Sequence, residues 1–370
     1  MIERIKSARM IIAGGGTGGH LFPAIAVAEE FLRRSEQNEV LFVGTAAGLE
    51  ARILPRMGYR LETIEVAGLK GKGLWKVLAG LKRIPGSIIK SRGIIKEFKP
   101  QVVLGVGGYA SGPTVLAAHL MGIPTAIAEQ NASPGMANAI LGRFANRIFV
   151  SFEETKVWFP IRRVIHTGNP VRTGFLEEVE ERSTEEKPFT LLIFGGSQGA
   201  SGVNRAVAAA LPYLEDLKGS MRIIHQTGSA DLEWVKEEYA KRRMDVEVQP
   251  FIDDMARVFR IADLLVCRAG ATTIAEITAM GKAAILIPYP HATGDHQVLN
   301  AKALVKRGAA EMIEERDLTG ESLAMHIRDL YHDPERLKSV AENSKKMGKP
   351  DASRVIVDRC MEIIRWEKVS

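Results

Sequence analysis

Several glycine-rich segments of this 370-residue chain have the composition that lets backbone N–H groups and a helix N-terminus approach a phosphate. They are Gly14–His20 (GGGTGGH), Gly107–Pro113 (GGYASGP) and Gly195–Ala200 (GGSQGA). A further segment, Arg268–Thr273 (RAGATT), opens a predicted helix running through Met280. The hydroxyls of Thr272 and Thr273 would there join free helix-end N–H groups around a diphosphate, and Glu276, one turn on, would accept from a ribose diol. The plainer alternative is that the threonines cap the helix and Glu276 only complements its dipole. Other phosphate chemistries are disfavoured. Gly14, Gly16 and Gly19 have the G-x-G-x-x-G spacing, but the second strand ends Val43-Gly44-Thr45 with no carboxylate for an NAD ribose. No glycine loop ends in Gly-Lys-Ser/Thr, no Asp-x-Asp pair is present to carry a metal-bound diphosphate, and Cys/His spacing offers no zinc site. The expectation is an enzyme with no cofactor and no metal.

Such loops must be held by strands and helices, and the pattern supplies them. Strands are predicted at 9–13, 40–43 and 101–106, with a helix over 23–34 whose first turn holds Pro23. The pattern then restarts, with a strand at 189–194, a helix at 203–211 and a strand at 262–267. Each half opens with strand, glycine loop and helix, so the fold class is α/β with two Rossmann-like domains. The boundaries expected are 1–168 for the first domain and 169–350 for the second. A last helix, 352–366, is expected to return to the first. The acidic run 177–186 reads as a solvated connector.

Composition narrows the class. Hydrophobic residues make up 46% and charged residues 25%, which excludes a disordered or fibrous chain. The net charge of +6 is uneven: residues 1–168 hold 22 Lys and Arg against 12 Asp and Glu, and the remainder 28 against 32. The basic first half is therefore the one expected to face something anionic. Two cysteines, Cys267 and Cys360, make no disulfide framework, and no apolar run is long enough to span a bilayer. A cytoplasmic protein is expected, peripheral on a membrane at most.

Taken together and in order, GGGTGGH, GGYASGP, Glu129–Asn131 (EQN), Gly168–Arg172 (GNPVR), GGSQGA, Phe251–Met255 (FIDDM), Arg268–Glu276 (RAGATTIAE) and Asp295–Ala301 (DHQVLNA) resemble the MurG family of bacterial peptidoglycan N-acetylglucosaminyltransferases. The resemblance runs from about residue 10 to 301. It implies the GT-B fold, two Rossmann domains facing across a cleft. It also implies inverting transfer of N-acetylglucosamine (GlcNAc) from UDP-GlcNAc to the C4 hydroxyl of undecaprenyl-diphospho-N-acetylmuramoyl-pentapeptide (lipid I), giving lipid II at the cytoplasmic face of the cell membrane. One departure is Ala128, where the family often has histidine before the EQN triplet.

Matched motif by motif, the resemblance implies donor-side contacts from Thr17, Gly18, Gly19, Asn131 and Arg172. It implies UDP-GlcNAc binding by Ser197, Ile252, Ala271, Thr272, Thr273, Ile274, Ala275, Glu276, His296 and Gln297. Ile252 would meet uracil through its backbone, Glu276 the ribose, and Ser197 with the Thr272 helix end the diphosphate. Gln297 suits sugar hydroxyls, carrying two donors and an acceptor at one tip. His20 is the expected general base. Glu129 is the alternative base, or else an internal acceptor that orders Asn131. Gly15, Gly16, Gly107, Gly108, Tyr109 and Ser111 are expected near the acceptor, with the two first-half loops cradling its diphosphate and Tyr109 either stacking or packing. Cys267 is expected to be inert, and His291 and Asp295 to order the loop before Gln297.

Two rival readings remain. A UDP-GlcNAc 2-epimerase shares fold and donor but needs no lipid-facing basic surface. A nucleic-acid-binding protein would use the basic first half, yet that half has no helix-turn-helix signature or aromatic stacking sheet, so no nucleic acid is expected. A membrane face is instead expected at Gly73–Arg83. From Val66 to Lys96 there is no acidic residue; Leu74, Val77, Leu78 and Leu81 recur at helical spacing beside Trp75, with Pro85 as the predicted stop. The alternative is that these leucines are core and the lysines merely solvated.

Overall fold

The computed structural model describes residues 7–66, 74–177, 188–196 and 198–366, with the backbone alone given for 74–83, 293 and 365–366. It divides into two compact units. One comprises Met1–Arg172 with Lys349–Ser370, the other Thr173–Gly348.

Unit 1 is built on a seven-stranded sheet, all of whose pairings are parallel. Its strands are β1 (Arg9–Ala13), β2 (Glu39–Gly44), β3 (Arg60–Thr63), β4 (Val102–Gly105), β5 (Thr125–Glu129), β6 (Arg147–Val150) and β7 (Val164–His166), in the order β3-β2-β1-β4-β5-β6-β7. The helices α1 (Gly18–Arg33), α2 (Glu50–Ile53), α3 (Leu74–Phe98), α4 (Ser111–Leu120) and α5 (Met136–Leu141) lie between strands. Parallel strands must be covered on both faces, and β1 shows how alternation does it. Met10 and Ile12 join α1 on one face, whereas Ile11 and Ala13 join Ile94, Ile95 and Phe98 of α3 and Val115 of α4 on the other.

Unit 2 repeats the plan with six parallel strands: β8 (Phe189–Phe194), β9 (Met221–Gln226), β10 (Val246–Gln249), β11 (Leu264–Cys267), β12 (Ala283–Leu286) and β13 (Glu311–Met312), in the order β10-β9-β8-β11-β12-β13. Its helices are α6 (Ser201–Ala210), α7 (Leu232–Arg242), α8 (Met255–Ile261), α9 (Ala271–Met280), α10 (His296–Val305), α11 (Gly320–His332) and α12 (Pro334–Met347). The chain then returns to unit 1 in α13 (Ala352–Trp366), where Ile356, Val357, Cys360, Ile363 and Ile364 are buried against α1 and the sheet.

Two helix expectations need correcting. The first helix starts at Gly18, not near Pro23, so Pro23 sits in its second turn and removes the bond to the Gly19 carbonyl. Pro85 does not stop α3, which runs 25 residues to Phe98. Beyond the proline the helix is held by packing and by two hydroxyls. Ser87 Oγ donates to the Glu65 carbonyl at 2.5 Å, and Ser91 Oγ lies 3.3 Å from Thr114 Oγ1. The side chains at 74–83, including the expected membrane face, lie outside the described residues. No helix among the described residues is long and apolar enough to cross a membrane.

Candidate functional site

In an open parallel sheet the crevice for a ligand opens at the carboxyl ends of the strands where the order reverses. In unit 1 that point lies between β1 and β4, and the loops leaving those two strands are the two glycine segments. They interlock backbone to backbone. Gly15 N–H donates to the Gly107 carbonyl at 3.3 Å, and a Cβ on Gly108 would come within 2.5 Å of the Gly15 carbonyl oxygen. Gly16 N–H donates to Glu50 Oε2 at 2.7 Å. Gly15 and Gly16 therefore spend their N–H groups inside the protein. Glu50 was missed because its signal is tertiary. It opens α2, is 1% exposed, and also accepts from Thr45 N (2.9 Å) and Thr45 Oγ1 (3.0 Å). The end of β2 does hold a carboxylate, then, but one committed to bracing the loop instead of meeting a ribose.

Past the brace, Thr17 is exposed, its hydroxyl makes no capping bond, and the first turn of α1 contains no acidic side chain. That helix end keeps its positive potential for an anion or a developing charge. His20, two residues into α1, is half-buried. Its Nδ1 lies 3.0 Å from Gln130 Oε1, and a Cβ at Gly107, where φ is +90°, would sit 2.8 Å from its Cε1. Gly107 thus makes room for the imidazole.

Glu129 ends β5 and is 2% exposed. Its carboxylate accepts from Asn131 N (2.9 Å), Asn131 Nδ2 (3.3 Å), Gly135 N (3.0 Å) and Asn138 Nδ2 (2.9 Å). A carboxylate enclosed by four donors is an internal acceptor that orders the 131–138 loop. Ser111 is likewise withdrawn from the acceptor group. It is fully buried, with its Oγ lying 2.4 Å from where a Gly105 Cβ would be. Tyr109 is 52% exposed, so it does not pack into the core. Arg172 lies over the Phe22 ring, 5.2 Å from its centroid, a position that orients its guanidinium.

In unit 2 the reversal lies between β8 and β11, and the loops leaving them are 195–200 and 268–270. The first is packed on β9's exit: a Cβ at Gly199 would fall 1.9 Å from the Thr227 carbonyl oxygen. Ser197 lies outside the described residues. The second delivers α9, a ten-residue helix whose N-terminus has neither a side-chain cap nor an acidic residue in its first turn. Thr272 and Thr273 are half-buried in its first turn. Glu276 is 4% exposed, and its charge adds to burial in pushing the Cys267 thiol pKa upward, which keeps that thiol protonated and inert. Ala271 and Ile274 are buried, leaving their backbone as the usable part.

Ile252 has its backbone N–H engaged within the protein. Its N–H donates to Gln226 Oε1 at 2.8 Å, while Gln226 Nε2 donates to the Gly196 carbonyl at 2.8 Å. Gln226, a polar residue ending the apolar strand MRIIHQ, ties the two donor-side loops together. Gln297 accepts from Tyr289 N at 2.9 Å through its amide oxygen. Arg268 is structural, donating to the Ile287 and Pro288 carbonyls and to Glu315. Among the described residues no three His, Cys, Asp or Glu side chains gather as a metal site would require.

Comparison with known proteins agrees with this arrangement. Residues 10–150 match the glycosyltransferase family 28 N-terminal domain, and residues 190–356 the family 28 C-terminal domain. A relative from Geobacter metallireducens, named UDP-N-acetylglucosamine--N-acetylmuramyl-(pentapeptide) pyrophosphoryl-undecaprenol N-acetylglucosamine transferase, is 55% identical over 363 residues, covering 97% of this chain and 100% of its own. The crystal structure of Acinetobacter baumannii MurG superposes with a TM-score of 0.78 at 33% identity, covering 96% of this chain and 99% of that one. UDP-GlcNAc 2-epimerase from Neisseria meningitidis, at 13% identity and a TM-score of 0.67 over 96% of this chain and 100% of its own, shares the fold alone. The two matched domains and an identity that runs nearly end to end show that the chain belongs to glycosyltransferase family 28, among its N-acetylglucosaminyltransferases.

Proposed function

We propose that this chain transfers GlcNAc from UDP-GlcNAc to the C4 hydroxyl of the N-acetylmuramoyl unit of lipid I, with inversion, to form lipid II. The observation that carries this reading is the 55% identity, over nearly the whole length, to a relative named for that transfer. In unit 1, His20 takes the proton from the acceptor hydroxyl as its oxygen attacks C1 of GlcNAc. The bond from C1 to the phosphate oxygen breaks, and UDP leaves with the electron pair. In unit 2, the N-terminus of α9 and the hydroxyls of Thr272 and Thr273 meet the charge that develops on the diphosphate. Glu276 holds the ribose, the Ile252 carbonyl the uracil, and Gln297 the sugar. A general base contributes about 10²–10⁴ in rate, so His20→Ala retains measurable turnover.

An acceptor anchored by an undecaprenyl chain places the protein at the cytoplasmic face of the membrane, as a peripheral enzyme on anionic lipid. The basic, Trp75-containing segment Gly73–Arg83 is the surface assigned to that contact.

UDP release from UDP-GlcNAc, measured with and without a water-soluble lipid I analogue, tests the reaction. Acceptor-dependent UDP and a product carrying one added GlcNAc are expected. Formation of the N-acetylmannosamine epimer without acceptor would establish the epimerase reading instead.

A further inference from the structure

We infer that Gln130 is a positioning residue that locks His20 in the tautomer with its proton on Nδ1, leaving the Nε2 lone pair to receive the acceptor's proton. The base role of His20 rests on the function proposed above; the tautomer rests on hydrogen-bond geometry alone.

Gln130 is 2% exposed, and its amide nitrogen donates to two backbone carbonyls, Val106 at 3.1 Å and Ala128 at 3.3 Å. Turning the amide over would set its oxygen against both carbonyl oxygens and leave that oxygen and the Val106 carbonyl without a donor, the Ala128 carbonyl keeping the one it has from Asn138 Nδ2 at 3.0 Å, so the orientation is fixed. The oxygen that then faces His20 Nδ1 at 3.0 Å can only accept. Nδ1 must carry the hydrogen, and Nε2 is left with the lone pair. The imidazole also fills the space that a Gly107 side chain would occupy, with a Cβ there 3.0 Å from Nδ1, so its plane is held as well as its proton. Solvated imidazole prefers the opposite tautomer, with the proton on Nε2. Without Gln130 the base would spend most of its time with the wrong nitrogen protonated.

A buried histidine of unit 2 supplies an internal standard of the other kind. His225 Nε2 lies 3.1 Å from Asn204 Oδ1, while the Asn204 amide nitrogen donates to the Thr227 carbonyl and Asp231. Asn204 Oδ1 therefore accepts, and His225 carries its proton on Nε2, with Nδ1 taking the Tyr239 hydroxyl at 3.0 Å.

The test is long-range ¹H–¹⁵N NMR of the full chain with ¹⁵N-labelled histidine at a pH where the imidazoles are neutral, His20 being assigned by its loss in His20→Ala. The expected spectrum shows a protonated Nδ1 at His20 and a protonated Nε2 at His225. Gln130→Leu should return His20 to mainly Nε2–H. It should lower kcat by about ten- to a hundredfold, the scale of a misplaced catalytic group, with KM for UDP-GlcNAc unchanged. Nε2–H at His20 in the wild-type spectrum overturns the tautomer. Unaltered kcat in Gln130→Leu overturns the positioning role. Unaltered kcat in His20→Ala removes the base role, and with it the catalytic half of the inference, whatever the spectrum shows.

Discussion

Glu276 is where a single side chain most clearly separates donor from acceptor. It lies one turn into α9, 4% exposed and close enough to Cys267 to raise the thiol's pKa. A hydrogen bond from a ribose hydroxyl to this carboxylate is worth about 1.5–3 kcal/mol, so Glu276→Ala should raise KM for UDP-GlcNAc about ten- to a hundredfold and leave the acceptor KM alone. Steady-state kinetics with each substrate varied in turn measure both. An unchanged donor KM would remove Glu276 from the ribose. His20 and Glu129 show why residue type alone did not choose the base. Both can take a proton, but Glu129 is surrounded by four donors within 131–138, whereas His20 has one ring nitrogen tied and one left over.

At the scale of elements, the first glycine loop takes its shape from a neighbouring short helix. Glu50 holds Gly16 N on one carboxylate oxygen and Thr45 on the other. In Glu50→Gln, either orientation of the amide points its NH₂ at an N–H donor in a buried site, at a cost of about 1–3 kcal/mol. The melting temperature should fall by about 2–4 °C per kcal/mol, and KM for UDP-GlcNAc should rise less than in Glu276→Ala, because the contacts assigned to α9 are untouched and only those expected from Thr17–Gly19 adjoin the braced loop. Calorimetry with donor kinetics checks both halves; a stable variant would mean the loop holds its shape unaided. In unit 2, the strand β9 places His225 in the interior, where burial outweighs nearby Asp231 and lowers its pKa from 6.5 to about 3. The native state keeps this imidazole neutral, while the unfolded chain protonates it below pH about 6.5. Stability should therefore decline as pH falls from about 6.5 toward 3, by at most about 1.4 kcal/mol per pH unit from this group. His225→Gln should flatten that decline in thermal melts between pH 7.5 and 5. An unaltered slope would assign acid sensitivity to other groups.

Over the whole molecule, the uneven charge and the proposed anchored acceptor make membrane binding the property to measure. Each basic side chain near an anionic surface contributes about 1 kcal/mol. Replacing Trp75 with Ser and Lys82 and Arg83 with Glu should weaken co-sedimentation with phosphatidylglycerol-containing vesicles more than tenfold, an estimate of about 1.4 kcal/mol or more from the two lost charges. Turnover of a water-soluble acceptor should persist. Unchanged vesicle binding with sharply lower stability would make this stripe a core element and move the membrane face elsewhere.

Strand positions and the fold class were legible in the sequence because parallel strands buried on both faces read as short apolar runs, and the strands Arg9–Ala13 and Phe189–Phe194 fall where the pattern puts them. The glycine loops were legible too, since their composition is local. Helix limits were less so. Pro23 and Pro85 lie inside helices because tertiary packing outweighs the bond each proline removes. What a loop's N–H groups are spent on was decided by the tertiary structure alone. Glu50, Gln130 and Gln226 are ordinary polar residues in the sequence. Each acts through a partner 24 to 110 positions away, and no local pattern encodes a hydrogen bond across that distance. The same holds for the surroundings of His20 and Glu129, of which the folded chain encloses only Glu129 with four donors.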